Sequence, residues 1–563
     1  MDVNDDVRVW VKTSVLDVLV FGKAHTSTKR QSISQTVAGD ADPHSVNWGW
    51  ARARVLPPDG EASSSSSSSS SAQHAFAVAS KPAAAGEGGS DGTKDFKIQL
   101  YIEDEESEHN RTAIPIPASY VRDGSVVMAN IYHGEGGDDY GDASAPCPYP
   151  DDLIGLTHLH EPAVVYCLRQ RYGYDKIYTA TGPILLAINP FKTLLGLYSE
   201  DTMQLYYERG ERGPEGGGGG DHENLSPHVY GLADRTYRDM MVSLELVEGG
   251  GRKSAISSNI KVDQSVIISG ESGAGKTVST KFIMQYLAAL SKRSSGEASS
   301  GDSSPDANKK SKSDIEQQVL QSNPIVESFG NARTIRNDNS SRFGKYIQLQ
   351  FSRRGALVGA SIETYLLEKV RIITQSPGER NYHIFYQLCR GADAEVKARL
   401  HLGEPEDYKY TRDVTTVPGM DDAREFADVQ SAMTSVGIRE DVQQSMWGIL
   451  AGLLHLGNVE FTSEGGDSPA EVSNKDVSLV AEELLGTQHL DSKLVTRMVN
   501  VQGRQSCYVV QLTPRQAESA RDALAKAVYE KMFAWLVARV NNSLAATKPS
   551  TGFIGILDIF GFE

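Results

Sequence analysis

The sequence predicts an α/β fold: a mixed, twisted central sheet flanked by helices and organised round a phosphate-binding loop, preceded by a small β-rich region and interrupted by disordered inserts. Three observations carry this. From Leu153 onward, strand-like apolar runs alternate with helix-like ones. A glycine-rich turn at 270–277 joins a short strand to a helix. Stretches of Ser, Ala and Gly at 57–93, 211–220 and 291–313 cannot bury enough surface to order themselves.

Taken along the chain, residues 7–11, 48–55 and 96–102 have the β-branched and aromatic content of strands and are expected to form a small barrel despite the serine run at 63–71 between them. Residues 161–172 read as a helix, 184–188 as an apolar strand, and 266–268 as the strand before the glycine-rich turn. After the insert at 291–313, residues 346–351 alternate like a strand. Residues 445–456 and 517–540 are helical, with His455 read as a core residue, and 553–557 form an apolar strand ending at Asp558.

The chain has 56 basic and 73 acidic residues, a net charge of −17, which disfavours wholesale binding to nucleic acid or an anionic membrane because phosphates would be repelled. Four cysteines, Cys147, Cys167, Cys389 and Cys507, lie far apart with no CxxC pair, so neither a disulfide framework nor a cysteine zinc site is expected. No apolar run of membrane-spanning length and no leader pattern at Met1 is found, so the expectation is a soluble, intracellular protein without direct membrane insertion.

The strongest signal is Gly270-Glu271-Ser272-Gly273-Ala274-Gly275-Lys276-Thr277, a GxxxxGK[ST] loop between strand and helix. Its glycines let backbone N–H groups wrap phosphate oxygens. The helix N-terminus adds positive potential, Lys276 reaches the β/γ-phosphates and Thr277 offers a hydroxyl to Mg²⁺. Two further segments suit a γ-phosphate sensor. Residues 337–345 (NDNSSRFGK) gather amides, hydroxyls and an Arg before a strand, giving Mg²⁺ a second hydroxyl. Residues 558–563 (DIFGFE) place a metal-organising Asp and a glycine at the end of another strand. Each alone is an ordinary polar turn; in this order they point to one nucleotide site.

These three segments resemble the P-loop, switch I and switch II of the myosin motor domain, and LHEPA at 159–163, YTATGPILLAINP at 178–190, NPIVESFG at 323–330, YLLEKV at 365–370, ERNYHIFYQL at 379–388 and LAKAVYEKMF at 524–533 are similar to that family as well. The resemblance covers about 151–563, with a weaker trace of an SH3-like barrel before it. It implies ATP and Mg²⁺ as ligands, actin filaments as partner, an actin-activated ATPase for the complete head and a cytoplasmic, cytoskeletal location. It implies that Lys276 serves the β/γ-phosphates, that Thr277 and Ser341 meet Mg²⁺ directly and Asp558 through water, and that Ser340 and Gly561 hold the γ-phosphate and lytic water. Arg342 and Glu563 would close the pocket as a salt bridge, Asn337 would contact phosphate, and Asn189, Pro190 and Tyr198 would lie on the adenine side. Val278 stands where many members carry Glu, and Tyr198 lies one residue beyond the usual spacing.

The expected organisation is an SH3-like region over 1–125, a first part of the motor core over 126–290, a surface loop over 291–313 and an upper actin-facing subdomain over 314–563. Within it 497–514 resembles the actin-contacting loop, with Ser506 at a site that is acidic or phosphorylatable in the family. The family's motor continues past DIFGFE, so the expectation is an incomplete head. No light-chain site and no coiled coil is implied. The alternatives are a nucleotide-binding actin tether or non-functional fragment, and a kinesin-like microtubule motor. The last is disfavoured because SSR is followed here by Phe343-Gly344-Lys345.

Overall fold

The computed structural model describes residues 8–12, 50–56, 96–101, 113–116, 126–128, 147–212, 225–249, 261–294, 314–465, 468–500, 507–546 and 549–559. The serine run at 63–71, most of the inserts at 211–220 and 291–313, Ser506, Gly561 and Glu563 lie outside them. The chain divides into two compact units, Met1–Leu194 and Leu195–Glu563.

In the first unit, β1 (Arg8–Lys12), β2 (Trp50–Leu56), β3 (Phe96–Tyr101), β4 (Ala113–Ile116) and β5 (Val126–Met128) form one antiparallel sheet in the order β4-β3-β2-β1-β5. Val and Ile recur in these strands, as a pleated surface favours. Two of them, β4 and β5, went unread in the sequence because three- and four-residue strands carry too short an alternation to register.

The same unit holds α1 (Glu161–Gly173) and the hairpin of β6 (Tyr178–Thr181) with β7 (Ile184–Ala187). The His160 side chain caps α1 by accepting the Ala163 N–H. Arg171, buried near the end of α1, donates to the carbonyls of Tyr149, Pro150 and Tyr178, to Thr179 Oγ1 (2.8 Å) and to Asp151 Oδ1 (2.7 Å). One guanidinium thus ties three stretches of backbone together beside the apolar cluster of Tyr149, Leu153, Leu156 and Cys167.

The second unit opens with α2 (Glu200–Arg212) and α3 (Val229–Gly249). Its central sheet joins β8 (Gln264–Ile268) with three later strands. The intervening segments are α4 (Lys276–Ser294), α5 (Asp314–Gly330) and a two-residue pairing of β9 (Asn331–Ala332) with β10 (Ser340–Ser341). Residues 291–294 are therefore helical, the last turn of α4. The sheet partners β11 (Gly344–Phe351) and β12 (Leu357–Tyr365) follow.

Next come α6 (His383–Gly391), α7 (Ala394–Arg399), α8 (Asp422–Ser435), α9 (Glu440–Gly457), β13 (Phe461–Thr462), β14 (Glu471–Val472), α10 (Lys475–Leu484) and α11 (Leu490–Val495). The chain continues through β15 (Thr496–Asn500), β16 (Cys507–Gln511), α12 (Pro514–Leu544) and β17 (Gly552–Asp558).

The central sheet runs β12-β11-β17-β8, antiparallel except for the parallel β17/β8 pair. It is mixed, as expected. Asp558 pairs in register with Ile268 on one side and Lys345 on the other. The C-terminal ends of the two parallel strands and the start of β11 therefore meet at one end of the sheet, where open α/β sheets place their ligands.

Among the helices of this unit, α9 is buried on nearly every side, with Trp447, Leu450, Leu453 and Leu454 inaccessible. His455 is a structural residue: its Nε2 lies 3.3 Å from the Leu400 carbonyl and its ring meets Tyr408 edge-on. Tyr529 of α12 stacks on Tyr382 and Phe385 and donates to the Phe329 carbonyl (2.7 Å), joining α12 to α5 and α6. The stretch 497–514, read as a surface loop, instead contains the antiparallel ribbon β15/β16.

His383, at the start of α6, is 2% exposed, and neither ring nitrogen has a hydrogen-bond partner among the described residues. Burial, reinforced by Arg380 and Arg371, pushes its pKa down to about 3. Below pH 6.5 the unfolded chain takes up a proton here that the folded chain refuses, so this stability is whole above pH 6.5 and drains away as pH falls toward 3. At pH 5 the loss is about 2 kcal/mol. In urea unfolding at pH 7.5 and 5, His383→Phe is expected to lose about 2 kcal/mol less than the parent between the two conditions; an equal loss refutes this.

Candidate nucleotide site

The loop 270–277 leaves β8 and enters α4 at Lys276. Gly273 (φ 80°) and Gly275 (φ 92°) adopt left-handed backbone that a side chain would strain, which is how eight residues turn a strand into a helix. Lys276 Nζ lies across the mouth of the loop and donates to the carbonyls of Gly270 (2.7 Å) and Glu271 (2.8 Å). Glu271 also faces Arg336 at 3.6 Å in an exposed pair. The Ala274 N–H closes a turn on the Glu271 carbonyl (3.2 Å).

Two hydrogen bonds join this loop to the other motifs. Thr277 Oγ1 donates to Asp558 Oδ2 (3.1 Å), joining the first turn of α4 to the end of β17. Ser272 Oγ lies 2.9 Å from Ser340 Oγ, joining the loop to β10. Sequence segments far apart in the chain thus meet at one end of the sheet. Asn337 is held in a polar turn beside them: its N–H bonds Thr334 Oγ1, its Nδ2 donates to the Asn339 carbonyl and its Oδ1 accepts the Asn339 N–H. A Cβ added to Gly273 would lie 3.7 Å from the Asn337 side chain, so loop and turn pack closely. Ser341 follows Ser340 in β10, paired with Asn331.

Arg342 leaves this turn half-buried. Its Nε donates to Glu368 Oε2 (2.7 Å), the oxygen that also accepts from Arg371 Nε (2.8 Å), and Arg371 reaches on to Glu379 (2.8 Å). Burial draws the Glu368 pKa upward, but hydrogen bonds from the two guanidinium groups prevail and hold it below the usual carboxylate range. Glu368 lies in the YLLEKV motif, and its pairing joins residues that no local spacing connects.

Tyr198 stacks flat on Phe282 of α4, with ring centroids 3.6 Å apart and planes at 12°, and meets Tyr230 edge-on. In the first unit, Asn189 Oδ1 accepts the Phe191 N–H (3.0 Å) and the Pro190 carbonyl accepts from Tyr172 (3.2 Å), a side-chain turn that fixes the loop.

Sequence reading missed Lys345 as a site residue. Along β11 the buried face carries Lys345, Ile347, Leu349 and Phe351, a lysine in an otherwise apolar stripe. Only 5% exposed, Lys345 donates from Nζ to Asn323 Oδ1 (3.2 Å).

Among the described residues no group of three or more His, Cys, Asp or Glu side chains could hold a metal. One carboxylate behind a threonine hydroxyl, next to a phosphate-wrapping loop, is instead the donor set that suits Mg²⁺, which keeps its waters and takes phosphate oxygens as ligands. The residues fit a magnesium nucleotide.

Comparison with known proteins agrees. The model of the myosin head (motor domain) matches residues 150–563. Myosin-7 of Arabidopsis thaliana is 41% identical over 420 residues, covering 73% of this chain and 22% of that protein. Myosin-1 of the same plant is 42% identical over 417 residues, covering 73% and 31%. Myosin-2 of Saccharomyces cerevisiae is 40% identical over 419 residues, covering 73% and 24%. The chain spans less than a third of the length of these relatives. With the P-loop hydrogen-bonded to both Ser340 and Asp558, and most of the chain matched by the head model, the chain belongs to the myosin head (motor domain) family.

Proposed function

We propose that this chain binds MgATP at the end of the β8/β17 sheet and supplies the ATPase site of an actin-based motor head in the cytoplasmic cytoskeleton. The observation that carries the reading is the pair of hydrogen bonds from the P-loop, Thr277 to Asp558 and Ser272 to Ser340, because a site that senses the γ-phosphate must couple the loop holding it to elements able to move. Bound Mg²⁺ supplies charge neutralisation on the phosphates.

In this reading the amides of 270–277 and Lys276 bind the phosphates, and Asn337 adds a donor. Thr277 and Ser341 are the direct metal ligands, with Asp558 behind water. Ser340 and Gly561 position the γ-phosphate and the attacking water. Arg342 closes the pocket by pairing with Glu563, exchanging its Glu368 partner for it. Tyr198 lies on the base side, and its stacking on Phe282 supports this by fixing a flat apolar wall two turns along α4; Asn189 and Pro190 take their base-side role from the family resemblance alone. For the β1–β5 region the reading is an SH3-like barrel. The expected divisions at 125, 290 and 313 and the actin-facing role of 314–563 belong to the same proposal.

Co-sedimentation with actin filaments tests it. Binding without nucleotide that ATP releases is the expected result. Binding indifferent to ATP identifies a tether, and no binding in either condition removes actin as the partner.

A further inference from the structure

We infer that Lys345 is a positioning residue for the metal site: its buried ammonium sets the placement of Asp558, the carboxylate that faces Thr277. The inference rests on the nucleotide reading above. Lys345 and Asp558 are directly opposite in the antiparallel β11/β17 pair, so their side chains share one face of the sheet. Both are buried, at 5% and 6% exposure, and each takes the last place in a row that is otherwise apolar: Ile347, Leu349 and Phe351 on β11, and Ile554 and Ile556 on β17. Two charges interrupt two apolar stripes at the same rung, and that rung is the one beside the P-loop.

The surroundings contain opposing charge and a fixed anchor. Asn323 and Glu327 stand four apart on α5, so they share a helix face. Asn323 Oδ1 accepts from Lys345 Nζ at 3.2 Å, while Glu327 pairs with Lys281 of α4 at 3.2 Å. Burial lowers the Lys345 pKa, and the charges of Glu327 and Asp558 oppose that shift, with Lys281 acting against them. Two cations and two carboxylates therefore share this region between α4, α5 and the sheet. Opposite charges buried in one region compensate one another, and truncating one leaves the others less well compensated. Without Lys345, Asp558 loses the cation on its own face of the sheet, and the Thr277 hydrogen bond alone must hold it in place. The phosphate-binding backbone of 270–277 does not contain Lys345, so nucleotide binding without metal is a separate quantity.

The experiment measures binding of a fluorescent ADP to the full 563-residue chain, first in EDTA and then across free Mg²⁺ concentrations. For Lys345→Met, which keeps an unbranched chain of nearly the same length and loses the charge, affinity in EDTA stays within about twofold of wild type. The Mg²⁺ midpoint rises about tenfold or more, the range of a lost charge-assisted contact. Asn323→Leu, which leaves Lys345 in place and removes its anchor, shifts the midpoint the same way by less. It decides the matter if Lys345→Met lacks a cooperative thermal transition. An unshifted or lowered midpoint overturns the inference, as does an equal loss in EDTA and in Mg²⁺, since that is what a space-filling residue would give. If the wild-type chain binds no nucleotide in either condition, the nucleotide reading falls and this inference with it; wild-type binding with an unaffected variant sinks the inference alone.

Discussion

Lys276→Ala is expected to lower nucleotide affinity by about a hundredfold or more, beyond detection at micromolar ligand. Lys276 is the only basic residue in the loop 270–277, so the amides that surround the phosphates would act without any full positive charge among them. A hydrogen bond to a charged group contributes about 1.5–3 kcal/mol, and a lysine between β- and γ-phosphates makes more than one. The geometry shows where the ammonium already is: at the mouth of the loop, on the carbonyls of Gly270 and Glu271, from which it can turn toward a ligand without moving the backbone. Lys276→Arg should rescue little, because a planar fork cannot occupy a site shaped for a point charge. Titration with a fluorescent ATP analogue checks both variants, and undiminished binding by Lys276→Ala would sink the site.

The parts of this site that sequence made legible are those whose chemistry is local. A phosphate loop announces itself because glycines, lysine and threonine must all fall within eight residues, and Asp558 stood out because an apolar strand runs straight into it. What stayed hidden depends on register and topology. Lys345 breaks an apolar alternation and was detectable as an oddity, but its partner Asp558 is fixed only once β11 and β17 are paired. Glu368 was readable as part of a motif, yet its bridging of Arg342 and Arg371 is tertiary. The ribbon β15/β16 was read as a loop although Tyr508, Val509 and Val510 are good strand formers. All three are exposed in the structure, so no buried face imposed the alternation that marks most strands.

Asp422→Ala should be among the most destabilising single changes in the second unit, with an expected loss of about 3–5 kcal/mol. Asp422 Oδ2 accepts from Arg380 (2.9 Å) and from Arg390 (2.8 Å), and the Arg380 and Asp422 side chains are 0% and 1% exposed. Removing the carboxylate leaves the Arg380 guanidinium inside the protein, with its face over the Tyr386 ring and its hydrogen-bonded anion gone. The consequence should extend to the nucleotide site. The Arg380 N–H donates to the Arg333 carbonyl and its own carbonyl accepts from Arg371, which shares Glu368 with Arg342, so loosening Arg380 loosens the turn that carries Ser340. A purely local packing defect would behave differently from an unbalanced charge. If charge is the cause, Arg380→Met combined with Asp422→Leu should recover more than half of the loss, since neither buried ion then remains, although Arg390 at the rim must find water. Chemical denaturation of Arg380→Met, Asp422→Leu and their combination decides between them: additive losses in the double variant would show that the pair acts through shape, and recovery would show that it acts through charge.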